Sequence, residues 1–179
     1  MLKMSREVKP LASTMPLGAH ARNAHYSLLS VWSENVIRVC QSCGQKNRIP
    51  PSRLHQVGYC GACKAELSAN NAPIDVDQQT FDQIVKEAQV PVLVDFWADW
   101  CAPCRMAAPE VKKLAEEMVG RALVLKVNTE NEPQLAARYN IRAIPNFLIL
   151  RGGQVVSQQA GLADHRRMKT WLEQGSQAA

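Results

Sequence analysis

The chain has 179 residues, 46% of them hydrophobic, and a formal net charge of +5. That is enough for one ordinary domain plus a small second unit; it excludes wholesale disorder, and no run approaches the roughly 18 apolar residues of a membrane span. Residues 1–39 carry +3, residues 40–73 another +3 and residues 74–179 carry −1, so the basic character belongs to the N-terminal part.

Residues 1–35 show no sustained period and read as a disordered or loosely attached extension. They lack the compact apolar stretch of a secretion signal, because Pro10, Pro16 and Gly18 interrupt it. All six cysteines fall in three C-x-x-C pairs: Cys40/Cys43, Cys60/Cys63 and Cys101/Cys104. The chain is too long and too apolar to depend on disulfide staples, so a reducing compartment, the cytoplasm, is expected. Residues 36–67, which hold the first two pairs, read as a small metal module. Residues 68–73, Ser-Ala-Asn-Asn-Ala-Pro, read as a linker.

From Ile74 to the end, residues 74–179, the pattern is that of an α/β domain. Phe81, Ile84, Val85 and Ala88 mark one face of a helix. Val92–Trp97 is apolar except for Asp95, as a strand covered on both sides requires. Val111, Leu114, Ala115 and Met118 extend a helix from about Cys101 to Val119, with a kink predicted at Pro109. Leu123–Val127 is a further strand, and Pro133 opens a helix bearing Leu135, Ala136 and Tyr139. Phe147–Leu150, Gly152-Gly153 and Gln154–Gln158 read as a hairpin, and Met168, Trp171 and Leu172 mark a last helix. The predicted order is β-α-β-α-β-α-β-β-α, with parallel strands first and an antiparallel edge at the end.

Two constellations carry chemistry. Trp100-Cys101-Ala102-Pro103-Cys104 follows a buried strand and opens a helix. The helix N-terminus favours thiolate over thiol, and the thiolate is the form that attacks a disulfide. A second thiol one turn away can close the ring and release the product. Asp95 lies in an apolar strand, where desolvation raises a carboxyl pKa. The second constellation is Cys40-x2-Cys43-x16-Cys60-x2-Cys63. Two such knuckles match a four-thiolate zinc site, with Gly44 and Gly61 where the chain must pass close to the sulfurs. Two local disulfides or free thiols are the alternative. His55 reads as a surface histidine, since four thiolates already fill a tetrahedral site. Basic residues near the knuckles lack the aromatic interleaving of a nucleic-acid face.

Several segments together resemble the thioredoxin family over about residues 74–179. These are Val94-Asp95-Phe96-Trp97-Ala98, Trp100–Cys104, Lys126-Val127-Asn128, Tyr139-Asn140-Ile141-Arg142-Ala143-Ile144-Pro145 and Gly161. The resemblance implies a thioredoxin fold, a central mixed sheet flanked by helices, preceded by a small zinc-ribbon-like module. It implies that Cys101 is the exposed nucleophile and Cys104 the resolving thiol, the two forming the redox-active disulfide. Asp95 would exchange a proton with Cys104, and Lys126 would lie near that carboxylate. Pro145 would be cis, and Trp100, Ala102, Pro103, Ala143, Ile144, Pro145 and Gly161 would form the substrate surface, with Trp97 as core support. The implied activity is that of a protein-disulfide reductase acting on protein substrates. A flavin- and NADPH-dependent thioredoxin reductase would reset it; the chain would need no organic cofactor and would be a monomer off the membrane. Ala102 departs from the glycine usual in the family, so the redox potential does not carry over. The four-cysteine module (Cys40, Cys43, Cys60, Cys63) ahead of this domain is similar to the bacterial thioredoxin 2 type and extends the match to about residues 36–179. A disulfide oxidase or isomerase on the same residues, and a zinc-binding redox-responsive adaptor or chaperone, are the competing functions.

Overall fold

The N-terminal module is built from two short hairpins. Strand β1 (Ile37–Val39) pairs antiparallel with β2 (Lys46–Arg48), and β3 (Gly58–Tyr59) with β4 (Glu66–Leu67). Between them Pro51–Arg53 form a turn of 3-10 helix. Such a small unit buries little: its own core is Cys40, Cys60 and Leu67, with Ile49 and Ala65 against them. These are the features of the computed structural model, which describes residues 37–177; the extension expected over residues 1–35 lies outside the described residues. All described residues belong to one compact unit.

The remaining elements are β5 (Ile74–Asp75), α1 (Gln78–Glu87), β6 (Val92–Trp97), α2 (Ala102–Glu117), β7 (Leu123–Asn128), α3 (Pro133–Arg138), β8 (Asn146–Arg151), β9 (Gln154–Ala160) and α4 (His165–Gln177). This is the predicted order. The five strands form one sheet in the order β5-β7-β6-β8-β9, parallel for β5-β7-β6 and antiparallel from β6 through β8 to β9. The hairpin expected at the edge therefore places only β9 there; β8 pairs with the central β6. Strand alternation separates two cores. Val92, Val94 and Phe96 point toward α1 and α3, with Phe81, Ile84 and Leu135. Leu93 points to the opposite face with Val124, Phe147 and Ile149, under Val111 and Leu114 of α2 and Met168 and Leu172 of α4. Asp95 shares the parity of Leu93, so its carboxyl lies on the α2 side of the sheet. No helix among the described residues is long and apolar enough to cross a membrane.

The first turn of α4 is tied to α2. The Nδ1 of His165 lies 2.5 Å from Glu110 Oε2, its backbone N–H donates to the same oxygen at 2.9 Å, and its Nε2 lies 3.5 Å from Glu117. The backbone N–H of His165, then its ring, hold the Glu110 carboxyl below the usual range. A carboxyl lowered by folding adds stability above its unfolded value, about 4.3, and that contribution is lost as pH falls through the folded value. Glu110→Gln is therefore expected to lower the melting temperature near neutral pH and to lose less than wild type on acidification, as read by thermal denaturation at about pH 6.5 and about pH 3.5. Parallel pH profiles for the two proteins would sink this role.

Candidate active site and metal centre

The C-terminal end of β6 delivers the chain to α2 through Ala98-Asp99-Trp100, and Cys101 becomes the N-cap of the helix. Its Sγ accepts the backbone N–H of Cys104 at 3.1 Å, one of the donors a helix start leaves free. Pro103 occupies the first turn, where its missing N–H removes no helical hydrogen bond. Cys101 and Cys104 are joined by a disulfide with Cα atoms 5.2 Å apart. The expectation of an exposed Cys101 is corrected here: in the disulfide state it is 2% exposed, and Cys104 is buried as well. Both pack in a small cluster with Ala98, Trp97 and Ile144, so the bonded sulfurs turn inward against apolar neighbours. The exposed group is Trp100, at 66%.

Around Cys101 lies a cavity of about 420 Å³. It brings together the predicted Trp100, Ala102, Pro103, Ala143 and Ile144, and adds Thr129, Ala136, Ile141 and Arg142. In the sequence Ala136 reads only as a helix-face residue, Ile141 and Arg142 only as part of the segment that resembles the family, and Thr129 carries no signal. Pro145 follows a cis peptide bond, and its carbonyl accepts the N–H of Gly161 at 2.9 Å. Neither Pro145 nor Gly161 lines that cavity.

Asp95 sits below this surface, 2% exposed, with its Oδ1 buried and without a hydrogen-bond partner. Burial pushes its carboxyl up to about 7; the charge of Lys126 pulls it down, and Asp75 pushes it up again. Lys126 faces Asp95 across the β6–β7 register, yet its Nζ contacts Asp75 Oδ1 at 3.4 Å and lies 4.1 Å from the Trp97 ring centroid. Asp75 had no sequence signal, since it stands in a two-residue strand at the sheet edge.

The other four cysteines converge. Their sulfurs all lie within 4.8 Å of one another, with Cys40–Cys63 at 3.5 Å and Cys43–Cys60 at 3.7 Å. A tetrahedral zinc with arms of about 2.3 Å has sulfur–sulfur edges of about 3.8 Å, so the set matches that ion. The two knuckles repeat one turn: Cys40 N–H bonds the Gln45 carbonyl, Cys60 N–H the Ala65 carbonyl, and Gly44 and Lys64 N–H return to Cys40 and Cys60. Gly44 takes the left-handed conformation (φ 73°), but in the second knuckle Lys64 takes it (φ 63°) rather than Gly61. Gly61 instead donates its N–H to Asn47, whose amide lies 3.6 Å from the Cys60 sulfur. The N–H of Cys63, above all, lowers the Cys60 thiol to about 6. His55 lies outside the cluster.

Residues 72–174 match the thioredoxin family, and residues 39–65 match the family described as Thioredoxin 2, N-terminal. The chain belongs to the thioredoxin family. Thioredoxin C-3 of Corynebacterium nephridii is 34% identical over 139 residues, 78% of this chain and 94% of its own length. Thioredoxin 1 of a Nostoc species is 46% identical over 103 residues, 58% of this chain and 96% of its own. A solved mutant thioredoxin from Halobacterium salinarum NRC-1 superimposes with a TM-score of 0.57 at 31% identity, covering 63% of this chain and 98% of that one. As a thioredoxin with an N-terminal four-cysteine zinc-ribbon module, the chain is a protein-disulfide oxidoreductase, with protein disulfides as the substrate class.

Proposed function

We propose that this thioredoxin reduces protein disulfides in the cytoplasm through Cys101 and Cys104. The observation that carries the assignment of roles is the N–H of Cys104 aimed at the Cys101 sulfur at the helix start. The Cys101 thiolate attacks one sulfur of the substrate disulfide; that bond breaks, and the departing substrate thiolate takes up a proton. Cys104 then gives its proton to the Asp95 carboxylate and attacks the Cys101 sulfur. The mixed disulfide breaks, the second substrate thiolate leaves, and Cys101–Cys104 is the new disulfide. Two electrons pass from the chain's dithiol to the substrate. A side-chain carboxyl near 7 is suited to accept and return that proton at neutral pH.

The cavity beside Cys101 is where the substrate segment is read. Trp100, Ala102, Pro103, Ala143 and Ile144 supply its apolar walls, and Pro145 and Gly161 hold the loop behind them. An NADPH-dependent thioredoxin reductase restores the dithiol, and the chain acts as a monomer. Cys40, Cys43, Cys60 and Cys63 hold a structural zinc ion, which ties the two hairpins together where their own core cannot.

The roles of the two thiols separate in a reaction with an aromatic disulfide that releases a coloured thiolate. Wild type is expected to release both thiolates per chain. Cys104→Ser is expected to release one and retain the other as a mixed disulfide, and Cys101→Ser to react no faster than a free cysteine. Release of both thiolates by Cys104→Ser at the wild-type rate would overturn the assignment.

A further inference from the structure

The register of the sheet puts one cation between two carboxylates. Asp75 of β5 pairs with Lys126 of β7, and Lys126 pairs with Asp95 of β6. Neighbouring strands lie about 4.8 Å apart, and residues in register point to the same face. At the level of the backbone, Lys126 is thus about equally placed toward either acid. Its side chain goes one way only. Nζ sits 3.4 Å from Asp75 Oδ1 and over the Trp97 ring, and the buried Oδ1 of Asp95 is left without a partner.

The two acids differ in solvation. The Asp75 side chain is 72% exposed and stays ionised at little cost, whereas Asp95 is sealed under α2. Asp75 and Lys126 share a cleft of about 400 Å³ with three more carboxylates, each engaged elsewhere. Asp77 caps α1 through the Thr80 N–H, Asp99 accepts from the Asn128 amide, and Glu132 accepts from the Gln78 N–H. On the α2 side stand the Cys101–Cys104 disulfide and Arg105, whose guanidinium is turned to the Asp99 carbonyl. Lys126 is therefore the one cation among the residues lining the cleft, and Asp75 is the acid that holds it.

We propose that Asp75 is a positioning residue for the thiol chemistry: it draws the Lys126 ammonium outward, away from Asp95, so that the buried carboxylate stays basic enough to take the proton of Cys104. This rests on the reading of Asp95 as the proton acceptor. Without Asp75, the lysine would swing inward to its other register partner and favour the charged form of Asp95, making the carboxylate a weaker base.

The test follows the Asp95 carboxyl carbon by NMR titration of the oxidised chain, in which neither active-site cysteine titrates. In Asp75→Asn the midpoint is expected to fall by about one pH unit, the size of effect an opposite charge has at close range. Asp75→Glu is expected to restore the wild-type midpoint. Adding Lys126→Met to Asp75→Asn is expected to raise it again, because the lysine carries the effect. An unmoved midpoint in Asp75→Asn, or one lowered equally with and without Lys126, would overturn the proposal. The pH profile of substrate-disulfide reduction is measured on the same variants, and its acid limb should move with the midpoint. A midpoint that moves while the rate profile stays put sinks the role of Asp95 as base, and leaves the hold of Asp75 on Lys126 standing.

Discussion

Asp95→Asn is expected to yield a protein that is more stable and slower, with a stability gain that grows from about pH 4 and is complete above about pH 7. In the fold, burial raises the carboxyl from 3.8 to about 7. The folded chain therefore holds a proton over a window in which the unfolded chain has already released it. Stability is fully present below the unfolded value and is lost as pH rises through the folded one. The loss of roughly three pH units at about 1.4 kcal/mol each is on the order of 4 kcal/mol above pH 7. Asparagine removes that penalty, although its amide is itself a polar group to be buried. Denaturant titrations at about pH 5 and about pH 8.5 should show a gap between variant and wild type that widens with pH. A gap independent of pH would mean that the carboxyl titrates normally. In the proposed mechanism the same substitution removes the proton acceptor for Cys104, so the mixed-disulfide intermediate should persist about 10²-fold longer at neutral pH.

The second large effect concerns Leu54. It belongs to the small module, following the 3-10 turn, but it is buried among Ile74, Val76, Phe81 and Ile84 of the thioredoxin core. Ile49 packs against both cores, and the Leu54 carbonyl accepts the N–H of Asn70 and a guanidinium N–H of Arg38. Leu54 is thus the buried plug of the four-cysteine module in the larger domain, with Ile49 packed beside it. Leu54→Ala is expected to cost about 2–5 kcal/mol, the range for deleting a buried leucine. With zinc held by the four thiolates as proposed, a chelator added to the wild-type chain should undo the hairpins, withdraw the same side chain and lower the melting temperature of the thioredoxin domain. In Leu54→Ala the chelator should have a much smaller effect on that transition, because the connection is already cut. Equal and additive losses in the two proteins would show that the metal does not act through Leu54.

The contrast between Asp95 and Leu54 explains what could be read in advance. A lone carboxylate in Val92–Trp97 announces itself, because a strand buried on both faces tolerates a charge only for a reason. That strand does lie at the centre of the sheet, between β7 and β8. Leu54 stands after Pro50-Pro51-Ser52-Arg53, where no period exists to mark a core residue, and its partners belong to a different part of the chain. Asp75 was silent for a related reason. Its meaning comes from the lateral register of β5 against β7, which depends on how the strands assemble and not on any local pattern. Lys64 in the left-handed conformation was hidden by its identity, since only glycine advertises that backbone state. The cysteine spacings, in contrast, carried both centres, because the ligand and thiol geometry is written into the x2 intervals themselves.

The amide of Cys104 already points at its partner's sulfur while the two are covalently joined. Once that bond has been reduced and the Cys101 sulfur carries the negative charge, its donor is already in place. The electron transfer therefore begins with an environment prearranged for the product, and little dipole reorientation is left to oppose it.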